Sequence, residues 1–159
     1  MTALTATERR SHLLSSVSHG GAYDVINLTS TVEVPLGATG RTINFGYIPS
    51  NARLLNTSRI YNDDLSNNAA TMDIGIGAVN GNLVNADTVA AIGNGFALNS
   101  AGSDSPMISD AANIGLPAWD LVTSETSDPG GVLMVYRTIL DATTTVAGTV
   151  TVEMYYTVD

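Results

Sequence analysis

The sequence predicts an all-β domain, an antiparallel β-sandwich or a jelly roll, with an N-terminal arm ahead of it. Three observations lead to this prediction. Apolar and polar residues alternate with a period of two along several segments. Turn-forming residues recur at a spacing of roughly 8–12 residues, as in two-sheet domains. Helical periodicity is nearly absent after residue 23.

Residues 1–23 differ in composition from the rest and are predicted to form the arm, with the β-sandwich domain at residues 24–159. The arm holds Arg9, Arg10, both histidines and a Ser-rich run. A short helix beginning at Thr7 is one conformation for it. Such a helix is marginal in isolation and needs a surface to pack on. A frayed terminus without a role is the alternative.

About seven or eight strands are expected in the domain, and the first four are regular. They are predicted at residues 25–34, 42–48, 54–61 and 70–79. Pro35 and Gly37 close the first strand, and Pro49 stops the second.

The middle of the chain is less regular. Residues 87–92 are predicted to form one helical turn that ends at Gly93. Short strands are predicted around residues 107–108 and 119–122, and residues 128–131 form a turn.

The last two strands give the clearest signal. Residues 132–140 are almost continuously apolar, and residues 148–158 alternate strictly. The short polar link between them indicates a hairpin of two long strands.

Composition excludes several classes of protein. The 159 residues suffice for one domain, and 44% of them are hydrophobic, so disorder is not expected. The absence of cysteine excludes disulfide scaffolds and thiolate metal sites. A net charge of −9 without any lysine argues against a nucleic-acid partner. No apolar run approaches the ~20 residues of a membrane span, and the start is not a signal peptide, so assembly inside a host cell is expected.

No set of catalytic residues stands out, so we expect neither an enzyme nor a cofactor. The only histidines, His12 and His19, lie in the arm, and no Gly-x-Ser-x-Gly motif occurs. Carboxylates are present in the domain, but their spacing selects no acid–base pair.

Two other clusters have alternative interpretations. The Asn- and Asp-rich residues 62–73 offer oxygen ligands for calcium, but they lack the ordered calcium-loop pattern and are also typical of turns. No metal site is therefore assigned. Trp119, with Tyr61, Tyr136, Tyr155 or Tyr156, is either a stacking platform for sugars or part of the packing of the sheets.

Two stretches resemble a known family. The sequence GYIPSNARLL at residues 46–55 is followed by MDIGIG at 72–77, and ADTVAAI at 86–92 leads into LNSAG at 98–102. Together they resemble the capsid cement, or decoration, proteins of tailed bacteriophages, over about a third of the chain. The family combines a Pro-x-x-Ala segment, an Asp-x-Gly strand and a turn that ends in Asn-Ser-Ala-Gly.

The resemblance implies a virion structural protein on the capsid exterior that bridges capsid subunits and stabilises the shell. Its partners would be the major capsid protein and further copies of itself, with a trimer favoured. From the residues of the arm itself, and not from the resemblance, we expect it to bind the shell through Arg9, Arg10, Leu13, Leu14 and Val17. Two alternatives stay open: a carbohydrate-binding or adhesion module that uses Trp119, and a tail, neck or fibre component of the same particle.

Overall fold

The computed structural model describes residues 4–5, 7–13, 25–37, 42–65, 71–77, 88–99, 105–122, 125–140 and 144–158. The strands of this part are β1 (Leu4–Thr5), β2 (Thr7–Leu13), β3 (Val25–Val34), β4 (Thr42–Pro49), β5 (Ala52–Leu54), β6 (Arg59–Asn62), β7 (Thr71–Gly77), β8 (Thr88–Ala97), β9 (Ser105–Pro106), β10 (Val132–Leu140) and β11 (Gly148–Val158). Two 3-10 helices, Ala111–Asn113 and Ala118–Leu121, lie between β9 and β10. None of the helices described is long and apolar enough to span a bilayer.

The strands form two sheets that share one hydrophobic core. Sheet A has the order β1-β4-β10-β7-β8, and sheet B has the order β2-β3-β11-β6-β9, with β5 also paired to β11. All pairings are antiparallel except that of β1 with β4. Fully buried side chains from both sheets meet in the core, among them Phe45 and Ile74 of sheet A and Leu28 and Val152 of sheet B. The predicted all-β sandwich is therefore confirmed.

The strand order is that of a jelly roll. When β1, β2 and β5 are set aside, the first remaining strand, β3, pairs with the last, β11. The pairs β4–β10, β6–β9 and β7–β8 nest inside that pair in sequence. One long antiparallel hairpin wrapped around a core produces this nesting, which is the jelly-roll topology. The strand order thus decides between the two architectures that the sequence left open.

Alternation of side chains explains the regular strands. In β3, Leu28, Val32 and Val34 are buried, whereas Thr31 and Glu33 are exposed. Successive residues of a strand face opposite sides of the sheet, so one face of β3 meets the core and the other meets solvent. The same pattern runs along β11, and the predicted bounds of β3, β10 and β11 are confirmed.

The predicted hairpin of β10 with β11 is wrong. β10 lies between β4 and β7 in sheet A, whereas β11 lies between β3 and β6 in sheet B. These consecutive strands belong to opposite sheets, and residues 141–147 link one layer to the other. The apolar run of β10 reflects its central position in sheet A, where Leu133 and Val135 are fully buried.

Both predicted helical segments are strands where the structure describes them. The segment that begins at Thr7 is β2, and residues 88–92 belong to β8. In each case the segment pairs with a neighbouring strand, β2 with β3 and β8 with β7, and these pairs give backbone groups partners that a short isolated helix leaves to solvent. Tertiary pairing therefore overrides the local propensity.

Two further predictions are corrected. The strand expected at residues 54–61 is broken into β5 and β6 by a turn, which the bond from the Ser58 amide to the Leu55 carbonyl closes at 3.0 Å. Both pieces pair with β11, and the Ser58 hydroxyl accepts a 3.0 Å bond from the Tyr155 amide at the break. Residues 118–121 form a 3-10 helix after Pro117 rather than a strand, and the Asp120 and Val122 amides donate to the carbonyls three residues back, at Pro117 and Trp119.

Candidate interaction surfaces

The predicted arm residues lie on an edge strand of sheet B. Arg9, Arg10 and Leu13 belong to β2, where they stand opposite Thr29, Leu28 and Val25 of β3. Adjacent positions of a strand belong to opposite faces of the sheet, so the positions of Arg9 and Arg10 lie on opposite faces of sheet B. Leu14 and Val17 lie outside the described residues. The boundary of the arm at residue 23 stays a prediction.

The outer face of sheet B is polar and rich in hydroxyl groups. Thr31 of β3 and Thr151 of β11 are cross-strand neighbours whose hydroxyls lie 2.8 Å apart. Tyr61 of β6 donates a 3.5 Å hydrogen bond to a Glu153 carboxylate oxygen. This regular face therefore offers hydroxyl groups and a carboxylate rather than apolar area.

One end of the sandwich carries two adjacent turns, residues 35–37 and 144–147, which we call the turn-pair surface. The Gly37 amide donates to the Thr144 carbonyl at 3.0 Å, and the Thr144 hydroxyl donates to the Pro35 carbonyl at 2.9 Å. Thr144 itself is only 1% exposed, so its side chain connects the two turns on their buried side. Leu36 and Val146, in contrast, are 63% and 45% exposed.

A third connection supports the turn-pair surface. The Leu65 carbonyl accepts bonds from the amides of Thr145 and Val146, at 3.0 and 3.2 Å. Leu65 is fully buried, and its own amide donates to the Leu98 carbonyl at 2.9 Å. The turns are therefore held against the core, and their exposed side chains start from a fixed backbone.

Asp63 fastens the start of β11 beside this end. One of its carboxylate oxygens accepts from the Thr149 amide at 2.7 Å and from the Thr149 hydroxyl at 2.9 Å. Both bonds stabilise the ionised carboxylate and so lower the pKa of Asp63, and the bond from the Thr149 backbone amide has the larger effect. Glu33 stands opposite Thr149 on the other side, and Glu33, Asp63 and Asp64 are all exposed. A row of acidic residues thus borders the turn-pair surface.

The other oxygen-rich side chains of residues 62–73 make structural hydrogen bonds. The side-chain amide Nδ2 of Asn62 donates to the backbone carbonyl of Asp63 at 2.8 Å. Asp73, which is 6% exposed, accepts a 2.8 Å bond from the Gly95 amide, where β8 bulges away from β7. Asn67 and Asn68 lie outside the described residues. Among the described residues, no group of three or more acidic or histidine side chains is placed to hold a metal ion.

Tyr61 and Tyr155 lie on the outer face of sheet B, but Trp119 and Tyr156 do not join them there. Trp119 sits on the second 3-10 helix and packs against the core. Tyr156 is 2% exposed inside the core, whereas Tyr155 is half-buried on the opposite face of β11. The placements of Trp119 and Tyr156 support the packing interpretation over the sugar platform; the side chain of Tyr136 lies outside the description.

Sequence reasoning missed the turn-pair surface. Residues 35–37 were interpreted as a strand terminator, because Pro and Gly are turn formers. One signal was available: a turn has no structural need for a large apolar side chain, and both Leu36 and Val146 stand between turn or link residues. Their neighbourhood depends on the jelly-roll wrapping, which period-two patterns do not encode.

The described strands define a two-sheet jelly roll, an architecture used by viral capsid and lectin domains. Two solved structures are similar to this chain. One is described as "Capsid of Ralstonia phage GP4", with a TM-score of 0.59 and 16% identity over 92% of this chain and 91% of that chain. The other is described as "Cyanophage Pam1 capsid asymmetric unit", with a TM-score of 0.53 and 20% identity over 92% and 94%.

At these identities the likeness shows a common fold, and it extends over nearly the whole of each chain. Neither the family models nor the curated proteins give a match to this sequence.

Proposed function

We propose that this chain is a structural protein of a bacteriophage particle, a cement protein that binds the outside of the capsid and bridges its subunits. The observation that carries the proposal is the near full-length likeness to chains of two phage capsid structures. The sequence resemblance to cement proteins supports the same class. Its segments at 46–55, 72–77 and 86–92 contribute to β4, β5, β7 and β8, so they follow the body of the jelly roll rather than the arm.

The surface of the chain supports a binding role rather than a catalytic one. The jelly roll is filled by a continuous core, and its polar groups beside the turns serve backbone positions. The net charge of −9 suits the outside of a shell better than contact with the packaged DNA. The proposed partners are the major capsid protein and further copies of this chain, with a trimer favoured, and the proposed location is the capsid exterior after assembly in the host cytoplasm.

The N-terminal segment is proposed to take part as an edge strand. β2 is the outermost strand of sheet B, and its seven residues pair on one side with β3. Edge strands present backbone donors and acceptors to a partner strand, which is a common mode of attachment. Arg9 and Arg10, with Leu13, Leu14 and Val17, would then meet carboxylates and apolar groups of the shell.

The first experiment measures the copy number of this chain in purified virus particles by quantitative mass spectrometry against the major capsid protein. A cement protein should be present in numbers comparable to the major capsid protein. A small number of copies would assign the chain to the tail, neck or fibre instead. Absence from the particle would contradict a virion role and favour the carbohydrate-binding alternative, which a Trp119→Ala variant then tests by loss of glycan binding with the fold retained.

The arm is tested separately by replacing both Arg9 and Arg10 with glutamine. We expect weaker attachment to shells with unchanged thermal unfolding, since side-chain changes leave the backbone pairing of β2 in place. Arg59→Gln is the matched control, because it removes a positive charge from another strand of the same sheet. Equal attachment of all variants would show that these arginines have no role in binding.

A further inference from the structure

The turn-pair surface concentrates exposed apolar side chains on a rigid support. Among the residues whose side chains the structure describes, the large apolar ones that are exposed are Leu36, Ile114, Val132 and Val146. Leu36 and Val146 lie on turns that hydrogen bonds join directly. Pro35 beside Leu36 is half-buried, and Ala147 beside Val146 is exposed. This end thus carries exposed apolar residues on two adjacent turns, and exposed apolar groups rimmed by polar residues are typical of interaction sites.

Hydrogen bonds to buried residues support both exposed turns. Thr144 is 1% exposed, and its hydroxyl donates a hydrogen bond to the Pro35 carbonyl. The Leu65 carbonyl accepts hydrogen bonds from two amides of the other turn. A surface that is fixed before binding loses little conformational entropy when a partner covers it. The hydrogen bonds therefore keep Leu36 and Val146 in a geometry that suits docking.

Charge decides what kind of partner fits. Glu33, Asp63 and Asp64 are exposed beside the turns. Neither Arg53 nor Arg59, the arginines whose side chains are described, lies on these turns; Arg53 is bonded to the Gly115 carbonyl at the opposite end. A second copy docking here by two-fold symmetry would bring the same carboxylates against these, and like charges across an interface disfavour the contact.

We propose that the turn-pair surface docks onto a different protein, whose surface offers an apolar patch bordered by Arg or Lys. This inference rests on the proposed function, and within it the partner is the outer surface of the assembled major capsid protein. Leu36 and Val146 enter the apolar patch, and the neighbouring carboxylates pair with the basic border. The acidic end therefore faces the shell, and the opposite end, with Ile114 and Val132, faces away from it.

The test uses the full chain and shells assembled from the major capsid protein encoded in the same genome, prepared without this chain. The variants are Leu36→Ser and Val146→Ser, with Ile114→Ser as the matched control, since Ile114 is an apolar residue of similar exposure at the opposite end. Binding is measured by co-sedimentation with shells. We expect each docking variant to lose about tenfold or more in affinity, as for a central interface residue, and the control to stay within about twofold.

Charge is tested by Glu33→Gln. Added salt should weaken the binding of the wild-type chain more than that of Glu33→Gln, because the variant has lost one of the charge pairs that salt screens. Circular dichroism and sedimentation velocity of the free variants check that fold and oligomeric state are retained.

The outcomes separate the two proposals. The docking surface alone is overturned if Leu36→Ser and Val146→Ser bind shells as well as the wild-type chain does. It is also overturned if Ile114→Ser loses binding instead of them. Dissociation of a self-assembled oligomer by Leu36→Ser, without loss of shell binding, overturns the choice of partner. Failure of the wild-type chain to bind shells at all overturns the proposed function, and the docking surface with it.

Discussion

Adding one methyl group at Gly93 tests how residues 107–122 close the open side between the two sheets. Gly93 lies in β8, and a Cβ atom built there would come closer to the Met107 carbonyl oxygen and to the Phe96 ring than the 3.0 Å that real Cβ atoms respect. The carbonyl is backbone, and the amide two residues on, at Ser109, is bonded to the Ile92 carbonyl at 3.2 Å. The carbonyl therefore cannot yield without moving the crossing segment away from β8, and the Phe96 ring would have to turn aside as well.

The expected cost follows from overpacking. Forcing a methyl group into a filled site costs about 1–3 kcal/mol. Replacing glycine removes some freedom from the unfolded chain, which returns about 0.4–1 kcal/mol. Gly93→Ala should therefore lower the free energy of unfolding by about 1–2 kcal/mol. Asn94→Ala, at the exposed neighbouring position, is the control and should change it by less than about 0.5 kcal/mol.

Equilibrium unfolding in urea measures the free energy of unfolding of both variants. An unchanged dependence of that free energy on urea concentration checks that the unfolded states are comparable. Trp119 is the only tryptophan and lies in the crossing segment, so its fluorescence reports the displacement locally. We expect a red-shifted emission for folded Gly93→Ala and none for the control. Wild-type stability and emission in Gly93→Ala would refute the close packing of residues 107–122 on β8.

Three further predictions concern the end of the sandwich that carries the turn-pair surface. Thr144→Val removes the bond to the Pro35 carbonyl and should cost about 1–2 kcal/mol in thermal unfolding, with Thr144→Ser as the conservative rescue. Gly148→Ala should destabilise by about 1 kcal/mol or more, because a Cβ there would lie 2.7 Å from Leu65 and 2.9 Å from Asp63; a neutral result would show that both side chains can move aside. The pKa of Asp63 is lowered in the folded state, so the stability that its carboxylate adds is present above the unfolded pKa near 4 and is lost as the pH falls through the lower folded value. The stability difference between wild type and Asp63→Asn should be at most about 1 kcal/mol at pH 7, because the group is exposed, and should vanish in strong acid.

Strands whose own side chains alternate between apolar and polar could be predicted from the sequence. In β11 each residue that meets the core is apolar and each that faces outward is polar or amphipathic, so a period of two was readable without any partner. The turn at Asp128 was predictable for a similar reason, since its carboxylate accepts from the Gly130 amide two residues on, at 2.8 Å, and Gly130 and Gly131 supply the positive φ angles.

Elements that depend on distant partners could not be predicted. The alanines and Gly93 in the β8 region have weak strand preferences, and the strand exists because β7 pairs with it across two bulges. The same holds for β2, whose polar sequence becomes a strand only against β3. Among the candidate surface residues, the arginines of the arm could be singled out by composition, whereas the proximity of the two turns that carry Leu36 and Val146 depends on the wrapped topology.

The four sheet edges are protected in different ways, and the difference bears on how the chain attaches to a partner. β1 and β9 are two residues long, and β8 is bulged, so these three edges offer little regular backbone to another strand. β2 is seven residues long and pairs in unbroken register. Of the described edges it is therefore the one that a capsid subunit could extend by a strand. If the turn-pair surface supplies apolar contact and β2 supplies backbone hydrogen bonds, variants of the two should weaken shell binding independently, because they act on separate surfaces of the same rigid body.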